Sequence, residues 1–214
     1  MSAGVRLSNL ARQRLRLPST NPYAIPVGSG PVLLVPGLRG SDNGHWQTLW
    51  QQERPDFRWV SQADWDTPDL AAWAEAVAHS IRAAGSPALV AAHSFGCLAT
   101  VRAALVHGAP IRAALLVAPA DPDRLGVTAL LARKRLPFPS IVVGSTNDPW
   151  MKLVRAGELA TVWGSRLIGY RNAGHINAES GFGPWPDGVR LLRHLDAEAQ
   201  PERHRIAAPL HGAD

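Results

Sequence analysis

A single cysteine, Cys97, in a chain of 214 residues excludes an internal disulfide framework and any zinc site built on thiolates. No apolar run approaches the roughly eighteen residues that a membrane-spanning helix needs, so no membrane span is expected. Neither H-E-x-x-H nor G-x-x-x-x-G-K-[ST] occurs, which removes the commonest zinc-protease and phosphate-loop readings. Lysine is scarce: Lys134 and Lys152 stand among 22 basic residues. That arginine bias leans toward a bacterial source rather than toward phosphate binding. The net charge of +5 is also unevenly placed, because Arg6, Arg12, Arg14 and Arg16 lie in an N-terminal stretch without acids. The remaining chain is close to neutral, so no nucleic-acid partner is expected. Nothing in the sequence addresses oligomeric state.

What is present is a regular alternation of short apolar runs and helical patterns. Pro31–Gly37, Phe57–Val60, Ala88–Ala92, Ala113–Val117, Ser140–Gly144 and Arg166–Tyr170 read as strands. Helices are expected from His45, over 69–84, 97–107, 151–163 and 188–199, with a short, partly helical connection at 122–136. Uniformly apolar strands alternating with helices indicate an α/β three-layer sandwich, a mostly parallel sheet covered on both faces. The chain divides into a basic arm (1–29), one folded domain (30–200) and a polar tail (201–214). The arm lacks a signal-peptide core, which points to a cytoplasmic protein, although an Arg-rich, acid-free start also suits a transit peptide.

The chain is organised around Ala92-His93-Ser94-Phe95-Gly96, where a strand passes into a helix with no turn residues between. Such a turn needs small neighbours and projects the side chain at its apex, the arrangement of a nucleophile elbow with Ala92 in place of the first glycine. The plainer reading is that Ser94 caps a helix. A serine nucleophile needs a base, and the base needs a carboxylate to fix its tautomer. His175, after Gly174, and Asp148 follow later strands in the order nucleophile, acid, histidine. Asp121 and Asp123, which follow the preceding strand, compete with Asp148 for the acid role. His93 reads as packing support and Cys97 as a buried thiol.

In a parallel sheet, ligands bind beyond the carboxyl ends of the strands, where Gly37, Ser94, Asp148 and His175 all fall. An oxyanion is best held by backbone N–H groups, and Phe95 and Leu38 are the expected donors. The Pro36–Ser41 loop is otherwise a plain glycine-rich turn. Trp46, Trp150 and Trp185 adjoin these motifs and suggest an aromatic pocket for an apolar acyl group, or ordinary packing. A histidine base predicts activity that rises from acid to neutral pH.

Taken together, the chain resembles the small α/β-hydrolases related to retinoblastoma-binding protein 9 and the bacterial YdeN-type serine hydrolases. The resemblance is carried by Val35-Pro36-Gly37 with His45-Trp46, by His93–Gly96 and by Ser145–Pro149. Its last part is Gly174-His175-Ile176-Asn177 followed by Gly181-Phe182-Gly183-Pro184-Trp185-Pro186. It covers about residues 32–195 and implies the triad Ser94, Asp148 and His175, no metal or cofactor, and no large cap domain. It departs from the common hydrolase pattern at Ala92 and in having Pro36-Gly37 where His-Gly is usual. A retinoblastoma-pocket role belongs to partners with Leu-x-Cys-x-Glu, which Gly96-Cys97-Leu98-Ala99 does not supply. The resulting expectation is a serine hydrolase acting on a small ester or amide through an acyl-enzyme. An acyltransferase on the same residues and a catalytically silent interaction protein are the alternatives.

Overall fold

The computed structural model describes residues 30–200; the basic arm and the polar tail assigned from the sequence lie outside them. Six strands form one sheet: β1 (Val32–Val35), β2 (Arg58–Trp59), β3 (Ala88–His93), β4 (Ile111–Val117), β5 (Ser140–Ser145) and β6 (Arg166–Tyr170). Their order is β2-β1-β3-β4-β5-β6, and every neighbouring pair is parallel. The chain builds outward from β1 in one direction and, beginning with β3, in the other. The ends of β1 and β3 therefore flank the point where strand order reverses, the place where an open α/β sheet leaves a crevice.

Alternate residues of the central strands serve opposite cores. Leu33, Val35, Val90, Ala92, Leu116 and Val142 face α2 (Leu70–Ala83), α3 (Phe95–Leu105) and α4 (Leu153–Trp163). Leu34, Leu89, Ala91, Leu115 and Val143 face α1 (Trp46–Glu53) and α5 (Pro186–Glu198). Burial on both faces is the reason these strands carry no polar alternation. Helix α2 forms because Leu70, Trp73, Val77 and Ile81 recur on one face and Asp69 Oδ1 accepts the N–H groups of Ala71 and Ala72. Such a cap contributes about 1 kcal/mol. Helix α4 stops at Gly164, whose left-handed φ of 67° a side chain would resist.

Element bounds differ from the sequence reading in small, explicable ways. Helix α3 starts at Phe95 rather than Cys97, since the elbow leaves no intervening loop. Strand β2 keeps two residues because it is an edge strand, although the Val60 N–H still reaches Leu34 O at 2.9 Å. Helix α5 begins at Pro186, a residue suited to a first helical turn. Between β4 and β5 the chain makes one short 3-10 turn, Thr128–Leu130, and no large cap. Among the described residues, no helix is long and apolar enough to cross a membrane.

Candidate active site

Ser94 sits between β3 and α3 with φ 53° and ψ −122°, a conformation that a non-glycine residue adopts at a cost of about 1–3 kcal/mol. The surroundings over-determine it. The Ser94 N–H donates to Val117 O at 3.0 Å, and the Cys97 N–H returns to Ser94 O at 3.0 Å. Gly96 is required on steric grounds, since a Cβ there would lie 2.3 Å from Pro36 O and 2.6 Å from Val35 O. Ala92, where the common pattern has glycine, is fully buried against the α2/α3 core. The Ser94 side chain makes no helix-capping hydrogen bond, which disposes of the capping reading.

Instead, Ser94 Oγ lies 3.0 Å from His175 Nε2. His175 Nδ1 in turn donates to Asp148, at 2.9 Å from Oδ2 and 3.0 Å from Oδ1. That bond puts the imidazole proton on Nδ1 and leaves Nε2 free to accept from the serine hydroxyl. The Asp148 side chain is 2% exposed and His175 10%, so this pair is shielded from water. Asp148 Oδ1 also accepts the Trp150 N–H at 2.8 Å, which orients the carboxylate. The competing acid, Asp121, is turned to its own loop, where it accepts the Asp123 N–H at 3.0 Å.

Both polar loops are held by side chains from the Ser145–Asn147 segment. Ser145 Oγ accepts the Ala173 N–H at 2.9 Å, Thr146 Oγ1 accepts that of Asn172 at 2.9 Å, and Asn147 Oδ1 accepts that of Gly174 at 2.7 Å. From the other side, Ser180 Oγ accepts the His175 N–H at 3.1 Å and donates to Asn177 Oδ1 at 2.7 Å. The His175 loop needs this support because Asn172, Gly174 and Ile176 all have left-handed φ, between 50° and 52°.

Facing Ser94, Gly37 lies so close that a Cβ would sit 2.7 Å from Ser94 Cβ. The next residue, Leu38, is partly buried, and Arg39 anchors the loop by donating its N–H to Trp65 O at 2.8 Å. Among the described residues, the N–H groups of Leu38 and Phe95 have no acceptor. Phe95 opens α3, where first-turn N–H groups lie free at the positive end of the helix dipole.

The tryptophans correct one expectation. Trp46 is fully buried and Trp185 is 6% exposed, so neither can line an open pocket. They are packing members of the α1/α5 core, with ring centroids 5.3 Å apart. Trp46 Nε1 donates to Ile176 O at 3.0 Å and Trp50 Nε1 to Pro184 O at 2.8 Å, propping the chain that carries His175 from below. Trp150 is different: it is 57% exposed, with the Arg124 guanidinium 5.5 Å above its ring.

His93, read from the sequence as packing support, has a specific partner, and His45 carries a capping role that the sequence did not suggest. His93 Nε2 donates to His175 O at 2.9 Å, and its ring makes edge contacts with His175 and His45 at 4.8 and 4.7 Å. Burial, reinforced by His45 and His175, holds His93 well below the ordinary imidazole value. His45 caps α1 through Nδ1, and burial lowers it to about 4, with Asp42 opposing and His175 assisting. Spacing to Ser94 flagged His93, but nothing in the sequence indicated its partner. Cys97 is buried with its thiol toward Val117 O, and burial pushes it well above the usual thiol range. No group of His, Cys, Asp and Glu among the described residues is arranged to hold a metal ion.

A parallel sheet bearing a serine elbow, with histidine and carboxylate presented from later loops, defines the α/β-hydrolase class. The sequence model of the serine hydrolase family matches residues 32–194. A YdeN-like hydrolase from Pectobacterium atrosepticum is 36% identical, with a TM-score of 0.76 over 79% of this chain and 91% of that one. The YdeN gene product of Bacillus subtilis is 18% identical, with a TM-score of 0.64 over 78% of this chain and 98% of that one. A carboxylesterase from Bacillus cereus shares the fold at 14% identity, with a TM-score of 0.54 over 79% of this chain and 88% of that one. Comparison with curated proteins returned no match. The chain belongs to the serine hydrolase family, in its YdeN-type branch.

Proposed function

We propose that the protein hydrolyses a small carboxylic ester, with a small amide as the second substrate class, through an acyl-enzyme on Ser94. The domain that does so spans residues 30–200. The observation that carries this reading is the 3.0 Å contact between Ser94 Oγ and His175 Nε2, made by a serine whose side chain has no structural employment. Ser94 Oγ attacks the carbonyl carbon while its proton passes to His175 Nε2. The carbonyl oxygen becomes an oxyanion facing the free N–H groups of Leu38 and Phe95. Asp148 keeps the imidazole in the required tautomer and stabilises its positive charge. Collapse of the tetrahedral intermediate breaks the bond to the leaving alcohol, which takes the proton from His175. Water then repeats the sequence, giving up a proton to His175, releasing the acid and restoring Ser94. Trp150, exposed beside the Asp148 turn, is the aromatic residue placed to meet an apolar substrate group.

The test is fluorophosphonate labelling of wild type beside Ser94→Ala, followed by a panel of p-nitrophenyl esters of increasing chain length. Labelling of wild type alone, with turnover of the shorter esters, is expected. Folded wild type that takes no label and turns over no ester would overturn the reading in favour of a catalytically silent protein.

A further inference from the structure

The base loop poses a problem that the triad contacts do not solve. His175 lies between Gly174 and Ile176, both with left-handed φ, and the Ile176 N–H closes a turn onto Ala173 O at 3.1 Å. Among the described residues, no backbone N–H donates to the carbonyl of His175 itself. That carbonyl is buried with its residue, and its donor is the His93 side chain. His93 is the residue immediately before Ser94, on a strand locked to β4 by the pairing of His93 with Val117. The nucleophile's own strand thus grips the backbone of the base.

We infer that His93 is a positioning residue for the reaction: its Nε2–H fixes the backbone of His175 relative to Ser94 and so sets the distance across which the serine proton is transferred. This rests on the reading of Ser94 and His175 as nucleophile and base. Other ties to the loop come from the acid side, through Ser145, Thr146 and Asn147, from Ser180 within the loop's own continuation, and from helix α1, where Trp46 Nε1 donates to Ile176 O. The first set holds His175 to Asp148, and the Trp46 bond ties the next residue to α1. Among the described residues, the His93 bond is the one that joins the residue beside Ser94 to the backbone of His175. The imidazole suits the task because it stays neutral when buried, so one nitrogen is a fixed donor and no charge is placed behind the base. His45 packs edge-on at 4.7 Å and Trp46 at 6.2 Å, closing the site of the bond to water.

The test compares His93→Gln, whose amide nitrogen reaches the same carbonyl, with His93→Leu, which fills space without a donor. Where His93→Leu does not fold, His93→Asn, whose amide stops short of the carbonyl, takes its place. Because a displacement of about 1 Å costs about 100-fold, the donor-less variant is expected to lose at least about ten-fold in kcat and in fluorophosphonate labelling rate, with KM within about two-fold of wild type. His93→Gln should recover most of that loss. Wild-type kcat in a folded donor-less variant, or equal losses in both folded variants, would overturn the inference. A readout without substrate separates this from failure of the hydrolase reading. The low-field Nδ1–H resonance of His175 should shift or broaden in His93→Leu and return in His93→Gln. If wild type takes no label, an unmoved resonance counts against His93 and a moved and rescued one supports it.

Discussion

Asn147 Oδ1 accepts the N–H of Gly174 at 2.7 Å, so the residue before Asp148 is bonded to the residue before His175. Asp148 and His175 are consequently held by one frame. Asn147→Ala removes the acceptor and leaves the two loops joined through Ser145 and Thr146. A hydrogen bond of this kind contributes about 1 kcal/mol to stability, so the variant should fold. Its kcat for a short p-nitrophenyl ester should fall about ten-fold with KM little changed, since the base is displaced while the binding surface is kept. An unchanged kcat would show that the frame is redundant.

Gly37 and Gly96 both lie at the elbow, yet alanine should act differently at each. At Gly37 the new Cβ would press chiefly on the Ser94 side chain, 2.7 Å from its Cβ, so the strain falls on the site and not on the sheet. Gly37→Ala should give a folded protein whose fluorophosphonate labelling is slowed by about ten- to 100-fold. At Gly96 the clash is with the backbone carbonyls of Pro36 at 2.3 Å and Val35 at 2.6 Å, at the carboxyl end of β1, which no side-chain rotation can relieve. Gly96→Ala should lose soluble folded protein altogether. A labelled, well-folded Gly96→Ala would refute the elbow geometry.

Buried neutral histidines make stability depend on pH. His45 is lowered by burial from the ordinary 6.5 to about 4, with Asp42, His175 and His93 as its titratable neighbours. His93 is lowered in the same direction by burial. The unfolded chain therefore binds more protons than the folded one below pH 6.5. Stability is fully present above that value and is lost progressively as pH falls toward 4. For His45 alone the loss reaches about 3 kcal/mol, given 1.36 kcal/mol for each pH unit. Thermal midpoints measured from pH 8 to 4 should fall, and His45→Asn should flatten the lower part of the curve. A midpoint rising on acidification would reverse the assignment.

Cys97 has neither exposure nor a lowered pKa, the two properties that make a thiol reactive. Iodoacetamide at pH 8 should leave the native protein unmodified and alkylate it fully in urea. Cys97→Ala should keep ester turnover within about three-fold of wild type, the hydroxyl and not the thiol being the nucleophile. Rapid native alkylation accompanied by loss of activity would reopen the question of which residue attacks.

The sheet was readable because burial on both faces strips polar residues from β1, β3, β4 and β5, leaving apolar runs that need no partner to be recognised. Ser94 and Asp148 were legible as candidates because each follows such a run, and His175 because it follows the Arg166–Tyr170 strand to the same edge, where parallel strands deliver all their carboxyl ends. The same logic fails for the tryptophans. Adjacency to a motif does not reveal which way a ring points, and Trp46 and Trp185 point into the α1/α5 core. It fails again for the loop frame, because bonds from Ser145, Thr146 and Asn147 to backbone 26–28 residues away leave no periodic trace. His93 looked like packing because its partner is a carbonyl, and carbonyls are the same at every position.

Among the described residues, strand β6 closes the sheet on one side, pairs only with β5, and is largely exposed along its length. Its downstream loop carries His175, whereas Ser94, the proposed nucleophile, hangs from the central strand β3. The two halves of the chemistry are thus assigned to regions that open with different free energies. Edge segments exchange their amide protons through small local openings, while central strands exchange only when the whole domain unfolds. On gentle heating, amides of β6 and its loop should lose protection, and turnover should cease, while those of β3 remain closed and the serine stays folded in its elbow. Heat inactivation would then be a fraying of one margin, reversed on cooling as the margin zips shut.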